Sequence, residues 1–117
     1  MKTILVVDDD SLIRDLVDTI LKISGFETIV CGSGEEAILH IDAVDAVVTD
    51  FQMLGMNGVD LARVAKHRRS NLPVLIMTGK PDLIPNHHWA DKVITKPFPS
   101  VNDIPLWLLE VLPEEVK

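Results

Sequence analysis

The chain has 117 residues, of which 47% are hydrophobic and 25% charged, and it carries a net charge of −7 at neutral pH. That length suits one domain with one core, and the wealth of core formers excludes a disordered chain. The acidic balance argues against nucleic acid as a partner of this domain, because phosphate contacts need a basic face.

One cysteine, Cys31, excludes an internal disulfide and reads as a buried strand residue. Met1 to Val7 contains only the short apolar run Ile4–Val7, too little for a signal peptide, and no run approaches membrane-spanning length. A cytoplasmic protein with no membrane partner is expected.

Ile4–Val7 predicts a buried strand that ends on Asp8-Asp9-Asp10. Ser11 opens a helix with Ile13, Leu16, Val17, Ile20 and Leu21 at helical spacing, closed by Gly25, and Asp10 is assigned to its cap. Glu27–Cys31 is a short strand. Ser33 with Glu36 forms a capping box, and Ala37, Ile38 and Ile41 supply the buried stripe of a second helix. Ala46 to Thr49 reads as a strand buried on both faces, as in the middle of a parallel sheet, and it ends on Asp50. Gly55, Asn57 and Gly58 then allow a sharp turn. Val59–Arg69 is a third helix, buried through Leu61, Ala62, Val64 and Ala65. Leu72–Met77 is a fourth strand, ending on Thr78-Gly79.

Between Lys80 and Asp91 the alternation calls for a helix, but Pro85 would break it, so one short turn or an irregular segment is expected. Lys92–Thr95 is a fifth strand, followed by Lys96-Pro97-Phe98. A last helix begins near Asp103 with Pro105 in its first turn, faces the sheet through Leu108, Leu109, Val111 and Leu112, and stops at Pro113. This alternation predicts a doubly wound five-stranded parallel sheet, an α/β (βα)5 fold with right-handed crossovers and a shortened or irregular fourth helix. The whole of 1–117 is expected to be one domain.

Open α/β sheets place their chemistry at the carboxyl ends of the strands. Here that edge receives Asp8, Asp9, Asp50, Thr78 and Lys96. Two carboxylates about 4 Å apart repel by roughly 4 kcal/mol at an effective dielectric near 20, so three together would raise at least one pKa strongly unless a cation sits among them. Clustered oxygens suit a hard divalent ion, and Mg²⁺ favours a few carboxylates with waters and phosphate. Thr78 offers a hydroxyl and Lys96 a point charge for a phosphoryl oxygen. An acid, a metal, a hydroxyl and an ammonium make a phosphoryl-transfer site. His40, His67, His87 and His88 are expected at the surface, and Trp89 and Trp107 in packing.

The motifs Val-Val-Asp8-Asp9, Val-Val-Thr-Asp50, Met53-x-x-Met56-x-Gly58, Met-Thr78-Gly79 and Lys96-Pro97-Phe98 occur in this order. With them the chain resembles, over nearly all its length, the receiver domain of the bacterial two-component response-regulator family. The resemblance implies a flavodoxin-like sheet of order 2-1-3-4-5 and a phosphoacceptor that assists its own phosphorylation and dephosphorylation, not a turnover enzyme. By that likeness Asp50 accepts a phosphoryl group from a histidine kinase or phosphotransfer protein. Asp9, Asp50 and the backbone carbonyl of Gln52 would bind Mg²⁺ or Mn²⁺ directly, and Asp8 through water. Thr78 and Lys96 would hold the phosphoryl group, and the Lys96–Pro97 bond would be cis. Gln52 and Lys80 take the places that flank the path of the hydrolytic water. The signal would leave through a downstream protein partner, onward transfer, or an output domain outside these residues.

Two departures stand out: Leu54 occupies the usual place of a proline, and Val93 that of an aromatic residue on strand five. A receiver-like interaction module that is never phosphorylated is the competing function, against which the acids, Thr78 and Lys96 stand together. A metal-dependent phosphatase is a third reading. Its Asp-x-Asp pattern is met at Asp8 and Asp10, but the Gly-Thr that should follow and a substrate cap are missing.

Overall fold

The structure, a computed structural model, describes residues 1–96 and 102–112. Strands β1 (Thr3–Val7), β2 (Glu27–Cys31), β3 (Ala46–Asp50), β4 (Val74–Thr78) and β5 (Lys92–Thr95) form one parallel sheet in the order β2-β1-β3-β4-β5. Helices α1 (Ser11–Ile23), α2 (Gly34–Ile38), α3 (Gly58–Arg68) and α4 (Asp103–Val111) accompany them, with short 3-10 turns at Ile41–Ala43 and Pro81–Leu83. The expected doubly wound fold and strand order are present.

Side chains alternate across the sheet with the period of a strand. Leu5, Val7, Val47, Val74 and Ile76 pack with Ala37, Leu61 and Ala65 on the α2/α3 face. Ile4, Val6, Val48, Leu75 and Met77 pack with Val17, Leu21, Ile104 and Leu108 on the α1/α4 face. Both faces of the central strands are thus covered, which is why those strands read as unbroken apolar runs. The register aligns Val7 with Thr49, Asp50 with Met77 and Thr78 with Thr95, so the strands end together at one edge.

Local chemistry explains most boundaries. Asp10 caps α1 by accepting from the Leu12 N–H at 2.9 Å, and Gly25 (φ 97°) closes the turn after it. Ser33 Oγ accepts from the Glu36 N–H at 3.1 Å and starts α2. The segment after β4 is one 3-10 turn and then irregular chain, as its prolines imply.

Four expectations need correction. Helix α2 is shorter than predicted: Leu39 and His40 donate to carbonyls three residues back and tighten its end, leaving Ile41, though buried, in a separate turn. Leu16 is exposed, and α1 buries Val17 and Leu21 instead. Strand β4 begins at Val74, because Leu72 N–H donates to Arg69 O in the preceding turn and Pro73 has no donor. Helix α4 is turned differently. It buries Ile104, Pro105, Trp107 and Leu108, whereas Leu109 and Val111 are exposed, because an all-round apolar helix leaves several stripes open and periodicity does not choose among them. The expected stop at Pro113 lies outside the described residues.

Candidate functional site

Asp8 follows β1 and is fully buried. Its carboxylate accepts from the Asp10 N–H at 2.9 Å, and its carbonyl accepts from the Arg14 guanidinium at 3.1 Å. Asp9 is exposed, and its Oδ2 lies 3.4 Å from the Leu54 amide, a long and weak hydrogen bond. Asp10 turns away to cap α1, in the role assigned to it.

Asp50 ends β3 and is buried. Behind it, Gly58 N–H donates to Phe51 O at 2.8 Å, and a Cβ on Gly58 would collide with the Asp50 carbonyl oxygen. Glycine is required there by close backbone approach. Asn57 and Asp60 form a reciprocal capping box that starts α3. The Asn-x-x-Asp pattern at the loop end was available in the sequence and would have found it.

One carboxylate oxygen from each of Asp8, Asp9 and Asp50 lies within 4.8 Å of the others. Lys96, just past β5, reaches this cluster: its Nζ lies 3.1 Å from Asp8 Oδ2 and 3.0 Å from Asp50 Oδ1. Burial pushes the Asp50 carboxyl above its ordinary value; the Lys96 hydrogen bond opposes that shift and the Asp8 charge adds to it. For Lys96 burial works downward, but the hydrogen bonds and charges of Asp50 and Asp8 outweigh it, so the ammonium is held above its ordinary value. The two acids thus keep Lys96 charged, and burial makes Asp50 costly to ionise.

Thr78 ends β4 and is buried. Its Oγ1 accepts from the Lys80 N–H at 2.9 Å, and its carbonyl accepts from the Lys96 N–H at 2.7 Å. The sheet edge therefore brings together Asp8, Asp9, Asp50 and Lys96, with Thr78 on the neighbouring strand. Gln52 and Lys80 are exposed, each two positions past a strand end. Pro97, Phe98 and the Lys96–Pro97 bond lie outside the described residues. The donor chemistry fits Mg²⁺ or Mn²⁺, which take oxygen ligands. No imidazole or thiolate joins the carboxylates, and the acidic group is the only such candidate cluster found among the described residues. His87 packs edge-on to Trp89, with ring centroids 4.4 Å apart, and belongs to no such cluster.

Sequence reasoning missed Glu35. Its Oε2 accepts from the Met56 N–H at 3.2 Å, a contact across 21 residues that no local pattern announces.

The model of the response regulator receiver domain family matches residues 4–104. The DNA-binding response regulator MtrA of Mycobacterium tuberculosis is 36% identical over 101 residues, covering 81% of this chain and 44% of that protein. The chain thus spans less than half the length of this curated relative. Among solved structures, the response regulator protein TrrA of Thermotoga maritima, in complex with Mg²⁺ and BeF, superposes with a TM-score of 0.87 at 27% identity, covering 96% of this chain and 100% of that one. Chemotaxis protein CheY4 of Vibrio cholerae superposes with a TM-score of 0.85 at 25% identity, covering 96% and 99%. Fold, sheet-edge residues and these likenesses agree: the chain belongs to the response regulator receiver domain family.

Proposed function

We propose that Asp50 is the phosphoacceptor of a two-component phosphorelay. The observation that carries this reading is Lys96 bridging Asp8 and Asp50 at 3.1 and 3.0 Å within a cluster of three carboxylates. An ammonium set on two of three clustered carboxylates at the carboxyl edge of the sheet is the acid-and-cation arrangement that phosphoryl transfer uses. The receiver neighbour solved with Mg²⁺ and BeF supports the same reading.

In the transfer, an Asp50 carboxylate oxygen attacks the phosphorus of a kinase phosphohistidine. The new O–P bond forms as the P–N bond breaks, and the imidazole nitrogen keeps the electron pair and takes a proton. Asp8, Asp9, Asp50 and the Gln52 carbonyl would hold the ion. When bound, it neutralises the clustered carboxylates and the phosphoryl charge. Lys96 moves from the free carboxylate to a phosphoryl oxygen, and Thr78 donates its hydroxyl to another. With a histidine kinase or phosphotransfer protein as donor, the event would take place in the cytoplasm.

Phosphorylation adds charge of about −1.5 to −2 at neutral pH. Thr78 is bound to the Lys80 amide, so turning its hydroxyl toward the new charge releases that amide and loosens the segment that follows. Val93 is β-branched and half-buried, with no polar tip to swing. The output surface is therefore the Lys80–Trp89 segment, with Val93 and the outer face of α4, where a groove of about 490 Å³ lies between β5 and the helix. A protein partner, or an output domain like those of the longer relatives, would read it there.

Incubation with acetyl phosphate and Mg²⁺ should add one phosphoryl mass to the chain, and Asp50→Asn should abolish it. Equal labelling of the Asn variant would sink the assignment. Transfer from a panel of autophosphorylated kinases would then name the donor.

A further inference from the structure

The loop between β3 and α3 carries Gln52 to Asn57 past the acid cluster. Its middle is held from outside, by the first residues of α2. Glu35 Oε2 accepts from the Met56 N–H at 3.2 Å. Beside it, the Met56 side chain lies so close over Gly34 that a Cβ there would sit 3.0 Å from both Cγ and Sδ. Gly55, with φ at 76°, packs so that a Cβ would lie 2.5 Å from the same Glu35 oxygen. The Gly55–Met56 turn thus sits on Gly34–Glu35, with one backbone hydrogen bond and one side-chain contact fixing its place. The residue just before the turn is Leu54, whose amide points at Asp9 Oδ2.

Asp9 needs such support. It is exposed, whereas Asp8 and Asp50 are buried and held by β1, β3 and Lys96. Of the three carboxylates it is the one whose direction depends on the loop.

We propose that Glu35 is a positioning residue for the site. By holding the Gly55–Met56 turn it keeps the Leu54 amide on Asp9, and so sets how tightly the cluster binds Mg²⁺. This rests on the reading of Asp8, Asp9 and Asp50 as the metal site. A bland role is available to the same side chain: an exposed acid in the first turn of α2 that stabilises that helix alone.

Amide exchange by NMR and Mg²⁺ titration by calorimetry on the full chain separate the two. Glu35→Ala should speed exchange at Met56 by about threefold to tenfold, the range for loss of one hydrogen bond, and should speed exchange at Leu54 and weaken Mg²⁺ binding by smaller factors. Glu35→Gln keeps an acceptor oxygen and should bring both back to within about twofold of the wild type. Faster exchange in α2 with Met56 unmoved would leave only the helix role and overturn the inference. Equal weakening by Gln and Ala would make Glu35 a remote charge and overturn it too. If the wild-type chain itself binds no Mg²⁺, the metal-site reading falls and this inference with it. A defect confined to how the variants behave touches Glu35 alone.

Discussion

Two connections leave the sheet edge beside the site, and they are held in opposite ways. The one after Asp50 is fastened along its length: Leu54 to Asp9, Met56 to Glu35, Asn57 and Asp60 in a capping box, and Gly58 against the Asp50 carbonyl. The one after Thr78 is fastened at its far end. There Asp91 pairs with Lys66 at 2.6 Å and accepts from the Val74 N–H at 2.8 Å. Trp89 packs against the tilted ring of His67 and edge-on to His87, and Ile84, Trp89 and Ala90 lean on the α2/α3 core. Next to Thr78 the described hydrogen bonds are local: Lys80 N–H to Thr78 Oγ1, Leu83 N–H to Lys80 O, and Ile84 N–H to Pro81 O. The difference teaches a division of labour. Under the proposed phosphotransfer, the acid side would hold its geometry before the reaction and the threonine side would give way after it.

Lys96 joins the two sides, arriving from the second and touching the acids of the first. Lys96→Met should cost the most, about 2–4 kcal/mol, since it leaves two buried carboxylates without their cation. Chemical denaturation at neutral pH measures this, and saturating Mg²⁺ should restore part of the loss. A variant as stable as the wild type would show that the acids do not depend on that ammonium.

Next in size is a pair of glycines, one on each side. Gly58→Ala drives a Cβ into the Asp50 carbonyl and should lose about 1–3 kcal/mol. A Cβ on Gly79 meets nothing within 4 Å, so Gly79→Ala should stay within about 1 kcal/mol of the wild type. Thermal melts of the two variants should therefore separate clearly; similar melts would erase the contrast.

Smaller again is the pH dependence. Asp50 is raised in the fold by burial, so the native state binds its proton more tightly than the unfolded chain. Its contribution is present at low pH and is lost as pH rises through the raised value. Lys96, also raised, keeps its contribution below its ordinary 10.5 and loses it only in strongly alkaline solution. Asp50→Asn should thus gain on the wild type as pH climbs from the ordinary carboxylate range to neutrality. A difference that is flat over this range would contradict the burial account.

Much of this was legible in the chain. β2, β3 and β5 fall where their apolar runs and turn residues put them, because a buried parallel strand leaves an unmixed signal. The five polar residues at the carboxyl edge could be named because strand ends in this fold share one side. Lost in the sequence was everything decided across the fold. The turned face of α4, the bridging position of Lys96 and the hold of Glu35 on Met56 depend on which surfaces meet, and neither periodicity nor spacing encodes that. The prolines after Thr78 forecast an irregular segment correctly, but not that Trp89 would tie down its far end.

The unequal holding of the two connections is tested most directly by hydrogen exchange on the chain with and without a beryllium fluoride adduct at Asp50, in Mg²⁺. Protection should change most in Lys80–Trp89, while 52–58 shifts little beyond the amides that face the acids. A response confined to the surroundings of Asp9, Asp50 and Lys96, with Lys80–Trp89 exchanging as before, would contradict it.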